Sequence, residues 1–451
     1  MYIYKEDFKK IVIALLIGIL VFMISLFFFN KLQSSLLASI AFLVTLWTNE
    51  GLPLGVVSLL PIILFPSFSI LTTEQTSANY SHPIIFLFLG GFLIAIAVEK
   101  TNLHKYIANK MFLIFPSTPK GIIFSLAITS GILSSVLSNT TTTLLLISIA
   151  LFISDDVRLK MRFALSIAYG ASVGGILTPI GTPPNLILLG IMQSKGIEPI
   201  PFLQWVFMVA PLVFIMLFIV ASLLSIGVKD IQISINSEKK PLSIEQKKVL
   251  FLIGAVVVLL LLNAPLKPYW SGLGLSETGI LLGIGLLLFA PPFGILDWSS
   301  DKSKIPFRIM FLFGAGFSIA KAFSETLLAD ELASYLISIT HLSPILIIFA
   351  VAMLVTFTTE ITSNTALVSI MLPVIYAVSQ QSGINATLIM MVATVCASYA
   401  FMLPIATPPN AIAMSSGAIS IKDMAKYGFV LNLAGVFLIV FIAEFFWRGF
   451  F

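Results

Sequence analysis

Two stretches of this chain, ILSSVLSNTTTTLLLISIALF (residues 132–152) and FTTEITSNTALVSIMLP (residues 357–373), carry one triplet in apolar surroundings: Ser138-Asn139-Thr140 and Ser363-Asn364-Thr365. The triplets stand 225 positions apart. Working outward, Thr182-Pro183-Pro184-Asn185 returns at the same spacing as Thr407-Pro408-Pro409-Asn410, and Gly91-Phe92 as Gly316-Phe317. Ser134 and Thr359 are mates at that offset too. One offset shared without a gap by separate motifs is the mark of a duplicated chain, and a repeat must be recognised before the fold is argued.

Of the 451 residues, 58% are hydrophobic and 10% charged, where a soluble domain carries about 25% charged residues. Apolar runs from Ile11 to Phe29, Phe202 to Ile226 and Tyr427 to Trp447 approach or exceed the ~20 residues a spanning helix needs, and Val249 to Leu262 adds a shorter one. These features predict an all-α polytopic membrane protein. The run after Lys9 and Lys10 is long enough to span and no small-residue cleavage site follows it, so it reads as a retained first helix. A single cysteine, Cys396, excludes an internal disulfide and a thiolate cluster. His82, His104 and His341 show no metal spacing. The net charge of +5 is no argument for nucleic acid. Its placement matters more, because basic residues mark cytoplasmic loops.

Hydropathy predicts spans at 11–29, 32–48, 51–66, 83–100 and 205–226, then 247–264, 275–291, 306–323 and 427–447. Hairpins are expected at 121–153 and 344–378, and broken helices at 163–194 and 386–417. The plan is eleven transmembrane helices and two re-entrant hairpins. Residues 1–31 hold the first helix, 32–228 the first repeat, 229–248 a charged cytoplasmic linker and 249–451 the second repeat. Five crossings lie between the triplets, which makes the repeats inverted. With the N-terminus in the cytoplasm, the inner loops collect Lys105, Lys110, Lys120, Arg158, Lys160, Arg162, Lys302, Lys304, Arg308, Lys422 and Lys426. The outer loop after 323 holds Glu325, Asp330 and Glu331. That distribution obeys the positive-inside rule. The first hairpin then opens from the cytoplasmic side and the second from outside.

Ser, Asn and Thr cap helices well and sit poorly inside them, so each triplet reads as a hairpin tip where one helix ends and another starts. The N-terminal end of the second helix, with its free N–H groups and positive dipole, suits an anionic group. The triplets' hydroxyls and amides can add hydrogen bonds or offer oxygen to a cation. In the Thr-Pro-Pro-Asn motifs two prolines remove donors and free carbonyls, which must be satisfied within hydrocarbon. Those carbonyls and the side chains of Asn185 and Asn410 suit a hard monovalent cation. Gly181 and Ala406 precede the breaks and permit close backbone approach. Gly90-Gly91 and Gly314/Gly316 read as helix-packing surfaces. Glu360 is an acid inside a membrane segment, functional by default, and its repeat mate is Ser135. It either helps hold the outer cation or faces a water-filled vestibule. Singly, these motifs are ordinary packing and turn elements; duplicated and inverted, they favour a site at the midplane where repeats meet, the plan of secondary transporters.

With both triplets, both proline breaks and the segment from Ala397 through Tyr399, Pro404 and Thr407 to Ile412, the chain resembles the divalent anion:sodium symporter family of dicarboxylate and citrate carriers. The resemblance implies a lipid-embedded homodimer of scaffold and transport domains working by an elevator motion. It places one Na⁺ at Ser134, Ser138, Asn139 and Gly181, and a second at Thr359, Thr362, Asn364 and Ala406. The substrate carboxylates would meet Ser138, Asn139, Thr140, Ser363, Asn364 and Thr365, with Pro408 nearby. Relatives often carry Thr two positions after each triplet; Thr142 fits this and Leu367 departs from it, which makes the pocket less polar on that side. The expected activity is Na⁺-coupled import of C4-dicarboxylates such as succinate, malate or fumarate across a bacterial cytoplasmic membrane. No organic cofactor is implied. With no Arg, Lys or His in either triplet or break, bound Na⁺ supplies the countercharge for a dianion. The alternatives are a Na⁺-independent dicarboxylate exchanger, or citrate or sulfate as substrate, on the same fold. An enzyme needs an acid/base pair, a metal cluster or an activated nucleophile, and the motifs hold neither His nor Cys.

Overall fold

The computed structural model describes residues 2–151, 153–228, 241–263, 271–335 and 343–451, and among them every regular element is helical. The first half runs α1 (Tyr2–Ser25), α2 (Lys31–Asn49), α3 (Leu54–Val57), α4 (Pro61–Ser67), α5 (Thr73–Ala78), α6 (Pro83–Lys100), α7 (Leu103–Ile114), α8 (Pro119–Ser134), α9 (Asn139–Ala150), α10 (Val157–Gly174), α11 (Pro183–Ser194) and α12 (Phe202–Ser225). The second runs α13 (Ile244–Asn263), α14 (Glu277–Leu287), α15 (Trp298–Asp301), α16 (Phe307–Glu325), α17 (Leu328–Tyr335), α18 (Pro344–Thr358), α19 (Asn364–Ser382), α20 (Ala386–Cys396), α21 (Pro408–Ser415) and α22 (Ile421–Phe445). Among the described residues, seven helical segments are long and apolar enough to cross a membrane, and five shorter apolar ones accompany them. Large side chains such as Leu16, Leu20, Phe27, Phe218 and Phe437 stand exposed, a surface that suits hydrocarbon rather than water.

The repeat is visible in the helix starts. Leu103 and Leu328, Pro119 and Pro344, Asn139 and Asn364, and Pro183 and Pro408 each open a helix, every pair separated by 225 residues. Pro at the first helical position costs nothing, since that N–H has no intrahelical partner.

Several expected boundaries shift for local reasons. The span expected at 51–66 is pinched: Pro61 cannot donate to Val57, whose carbonyl instead takes the Leu60 N–H at 3.0 Å. The span expected at 275–291 ends at Leu287, ahead of Pro291, Pro292 and the left-handed Gly294. Asp156 caps α10 through the N–H groups of Arg158 and Leu159, so that helix starts at Val157, ahead of the expected 163. Ser420 likewise caps α22 at Ile421, which puts Lys422 and Lys426 inside the helix. Of the linker expected at 229–248, residues 229–240 lie outside the described residues, as does His341. A reciprocal bond pair between Ser243 and Gln246 opens α13 within the remainder.

Helices α8–α12 and α18–α22 pack on one another, with α8 against α10 and α12, α18 against α22 and α20 against α22. A second group holds α1 on α2, α14 on α6 and α13, and α16 on α3. The groups meet where α16 touches α11 and α19, α6 touches α11 and α13 touches α12. The duplicated glycines lie at close approaches. A Cβ on Gly90 would strike the Leu281 backbone, and one on Gly91 would press on Ile180. On Gly316 a Cβ would meet the Ser369 hydroxyl, and on Gly314 the Tyr80 ring.

Candidate functional site

Both triplets stand at a helix start that follows the end of another helix. After α8 ends at Ser134, the chain turns through Ser135 to Ser138 and restarts at Asn139; after α18 ends at Thr358, it turns and restarts at Asn364. The Ser138 side chain accepts the Thr141 N–H at 3.1 Å and its hydroxyl donates to Thr141 Oγ1 at 2.8 Å. Ser363 caps α19 with its backbone alone. The tip residues Ser138, Asn139, Thr140, Thr362, Ser363 and Asn364 are half-buried and Thr365 is buried.

Behind each tip lies a buried hydroxyl on an amide oxygen. Ser134 Oγ donates to Asn139 Oδ1 at 2.6 Å and Thr359 Oγ1 to Asn364 Oδ1 at 2.7 Å. Thr359 also reaches the Ala397 carbonyl at 2.9 Å. In the first repeat Asn139 lies so close to Gly175 that a Cβ there would strike the amide, and a Cβ on Gly181 would strike the Gly175 carbonyl. Ser134, Asn139, Gly175 and Gly181 therefore converge in one spot, where the backbone approach requires glycine. Their mates in the second repeat are Thr359, Asn364, Ala400 and Ala406, of which Ala400 and Ala406 are buried. Neutral hydroxyl, amide and carbonyl oxygens at this density are the donor set a hard monovalent cation takes. Thr362 instead turns its hydroxyl back to the Thr358 carbonyl at 3.0 Å.

The proline motifs differ from the expectation in one respect. In both, the prolines occupy the first positions of a new helix after a gap of several residues. The carbonyls freed across each gap are met by the following asparagine. Asn185 Nδ2 donates to the carbonyls of Gly175 (3.3 Å), Ile176 (3.5 Å) and Thr178 (2.9 Å). Asn410 Nδ2 donates to those of Ala400 (2.8 Å) and Leu403 (3.0 Å), the mates of Gly175 and Thr178. Trp205 adds an indole N–H to the Ile176 carbonyl at 3.0 Å. The amide nitrogens thus brace the breaks, while the Oδ1 atoms of Asn185 and Asn410 are buried and unpartnered. Thr407 caps α21 through the Asn410 N–H at 3.4 Å, whereas Thr182 makes no side-chain cap on α11.

The four motif-bearing helices pack crosswise between repeats, α9 against α21 and α11 against α19. Each crossed pair thus joins a helix that starts at a triplet to one that starts at a proline motif of the other repeat. One crossed pair, α9 and α21, carries side-chain caps; the other, α11 and α19, does not. Thr142 is fully buried with its hydroxyl unpartnered, and Leu367, its mate, is buried hydrocarbon. Pro408 is exposed and Pro183 half-buried.

Glu360 takes a third role that neither expected reading anticipated. Its Oε1 accepts the Phe401 N–H (2.8 Å), the Met402 N–H (2.9 Å) and the Asn432 side-chain amide (2.6 Å); its Oε2 accepts the Leu403 N–H (3.1 Å). Glu360 is 3% exposed and its carboxylate ties the turn between α18 and α19, the second break and α22 together. A carboxylate holding four donors is already satisfied. The first repeat ties its parts differently, with the Thr178 hydroxyl donating to the Ser135 carbonyl at 2.5 Å. Asn432 was missed in the sequence, although a buried asparagine in an apolar helix is itself a signal.

The citrate transporter family model matches residues 42–396 and 275–449 of this chain. The chain belongs to the divalent anion:sodium symporter family, with its citrate and dicarboxylate transporters. It is a transporter and not an enzyme. It is 34% identical to the sodium-dependent dicarboxylate transporter SdcS of Staphylococcus saprophyticus, over 96% of this chain and 91% of that one. It is also 34% identical to SdcS of Staphylococcus aureus strain USA300, over 95% and 90%. Among solved structures, Neisseria gonorrhoeae MtrF superposes with a TM-score of 0.59 at 14% identity, covering 82% of both chains. At that identity the likeness speaks to the fold alone.

Proposed function

We propose that this transporter imports C4-dicarboxylates by Na⁺ symport, with succinate, malate and fumarate as substrates. The observation that carries the reading is the repeated oxygen pair, Ser134 with Asn139 and Thr359 with Asn364, set behind half-buried triplets. Each pair offers a cation seat built of neutral oxygens. The anion lies between the tips, where α9 and α19 begin and their N-terminal dipoles favour negative charge. No basic residue stands in either triplet or break, so bound Na⁺ supplies the countercharge. The SdcS relatives are named as sodium-dependent dicarboxylate transporters, which supports the same substrate class.

In this reading Ser134, Ser138, Asn139 and Gly181 hold one Na⁺, and Thr359, Thr362, Asn364 and Ala406 the other. Ser138, Asn139, Thr140, Thr142, Ser363, Asn364, Thr365 and Pro408 surround the substrate. The chain crosses the bacterial cytoplasmic membrane eleven times with its N-terminus inside, and α8–α9 and α18–α19 are the re-entrant hairpins. The group α8–α12 with α18–α22 moves as the transport body against a dimeric scaffold. Thermal shifts of the purified protein with dicarboxylates, citrate and sulfate, each in Na⁺ and in K⁺, test the proposal. Stabilisation by succinate that needs Na⁺ is the expected result. Stabilisation by citrate or sulfate alone, or equally in K⁺, would replace it.

A further inference from the structure

Two side-chain bonds cross between the helix groups, and they flank one short connection. Lys195, at the end of α11, donates from Nζ to Ser324 Oγ on α16. At the other end of the connection, Phe202 is the first residue of α12, whose preceding Pro201 makes no side-chain cap. Its N–H is taken by Glu277, from the first turn of α14, at 2.9 Å to Oε1 and 3.0 Å to Oε2. An orphan helix N–H is normally satisfied by a residue just before its own helix; here the acceptor comes from the opposite group. Lys195 is further fixed over the Tyr376 ring at 4.9 Å on α19, so its position is set from the side of the motif-bearing helices.

We propose that Glu277 and the Lys195–Ser324 pair form a clamp that fastens the 195–202 connection onto α14 and α16. The clamp holds the two helix groups in the arrangement seen here, and each transport cycle must open it. The inference rests on the two-body reading given under Proposed function. It assigns a gating role to three residues outside the triplets and breaks. Charge-assisted hydrogen bonds of this kind are strong yet reversible, which suits a contact made in one arrangement and lost in the other.

The clamp is tested with Glu277→Gln, Glu277→Ala and Ser324→Ala, each combined with Ile361→Cys beside the second triplet. Ile361 is exposed and the natural Cys396 fully buried, so a membrane-impermeant maleimide added to intact cells reads the introduced thiol on a quiet background. Labelling is expected to rise severalfold in Glu277→Ala and Ser324→Ala, less in Glu277→Gln, which keeps one acceptor oxygen. Hydrogen exchange of the Phe202 amide is expected to quicken in Glu277→Ala, while Na⁺-dependent succinate binding in the thermal-shift assay stays at the parental level. Parental labelling and exchange in all three variants would overturn the clamp. A parent protein that shows no Na⁺-dependent succinate binding would count against the proposed function instead.

Discussion

Ser134 donates its hydroxyl to the Asn139 side-chain oxygen across 2.6 Å, and one repeat later Thr359 makes the same bond to Asn364 at 2.7 Å. The side chains differ, Ser in one repeat and Thr in the other, while the oxygen-to-oxygen relationship is kept. Under the proposed function these two neutral oxygens receive Na⁺ together, with the hydroxyl proton turning away.

Asn139→Ala and Asn364→Ala are each expected to weaken Na⁺ and succinate binding together, by about tenfold or more, equivalent to ~1.4 kcal/mol. Thr359→Ser, which keeps the hydroxyl, should retain most of the affinity, and Thr359→Val should not. Calorimetric titration of Na⁺ with and without succinate checks this. Full transport in either asparagine variant would sink the assignment of the site.

Removing the Glu360 carboxylate leaves three backbone N–H groups of the second break without their acceptor. An orphaned buried donor costs about 1–3 kcal/mol, so Glu360→Ala should unfold well below the parent. Asn432→Ala should cost less, because the carboxylate keeps its backbone donors from Phe401, Met402 and Leu403. Thermal unfolding in detergent ranks the variants; a Glu360→Ala protein as stable as the parent would contradict the bracing role.

At Asn185 and Asn410 the amide faces carbonyl oxygens. Asn410→Asp points a carboxylate at those carbonyls and should destabilise more than Asn410→Ala, which only removes the donor. The opposite order in thermal unfolding would mean that the side chain faces the break through its oxygen.

His104 is buried on α7 with Nδ1 at 3.4 Å from the Val98 carbonyl. Burial holds its pKa below the usual value; the Val98 contact and Glu99 oppose this, and Lys105 adds to it. The unfolded chain therefore binds the proton more readily than the folded one. The stability this group contributes is present above the unfolded pKa of about 6.5 and is lost as pH falls toward the folded value. The unfolding temperature should drop on acidification below about 6.5, and less steeply in His104→Gln. Equal slopes for parent and variant would exclude His104 as the source.

Much of the fold was legible because the duplication is exact in register. Leu103, Pro119, Asn139 and Pro183 all find their mates at one offset, and all begin helices. Capping preference alone put the triplets at helix starts. What the sequence did not reveal is where the repeats differ or cross. Glu360 faces a Ser135 mate, and its partner Asn432 lies 72 residues away on another helix. The crosswise packing of α9 on α21 and α11 on α19 is a property of the assembled bundle. Asparagine offers both an acceptor and a donor, so residue type could not say that Asn185 and Asn410 turn their amide nitrogens toward the breaks. Hydropathy ran through Pro61 and Pro291 because proline interrupts hydrogen bonding without interrupting apolarity.

Uptake of labelled succinate into proteoliposomes, driven by an inward Na⁺ gradient and compared with an equal K⁺ gradient, tests the central claim most directly. Accumulation that requires Na⁺ and collapses when the gradient is dissipated is the predicted result. Uptake indifferent to Na⁺ and dependent on succinate preloaded inside would contradict it and identify an exchanger.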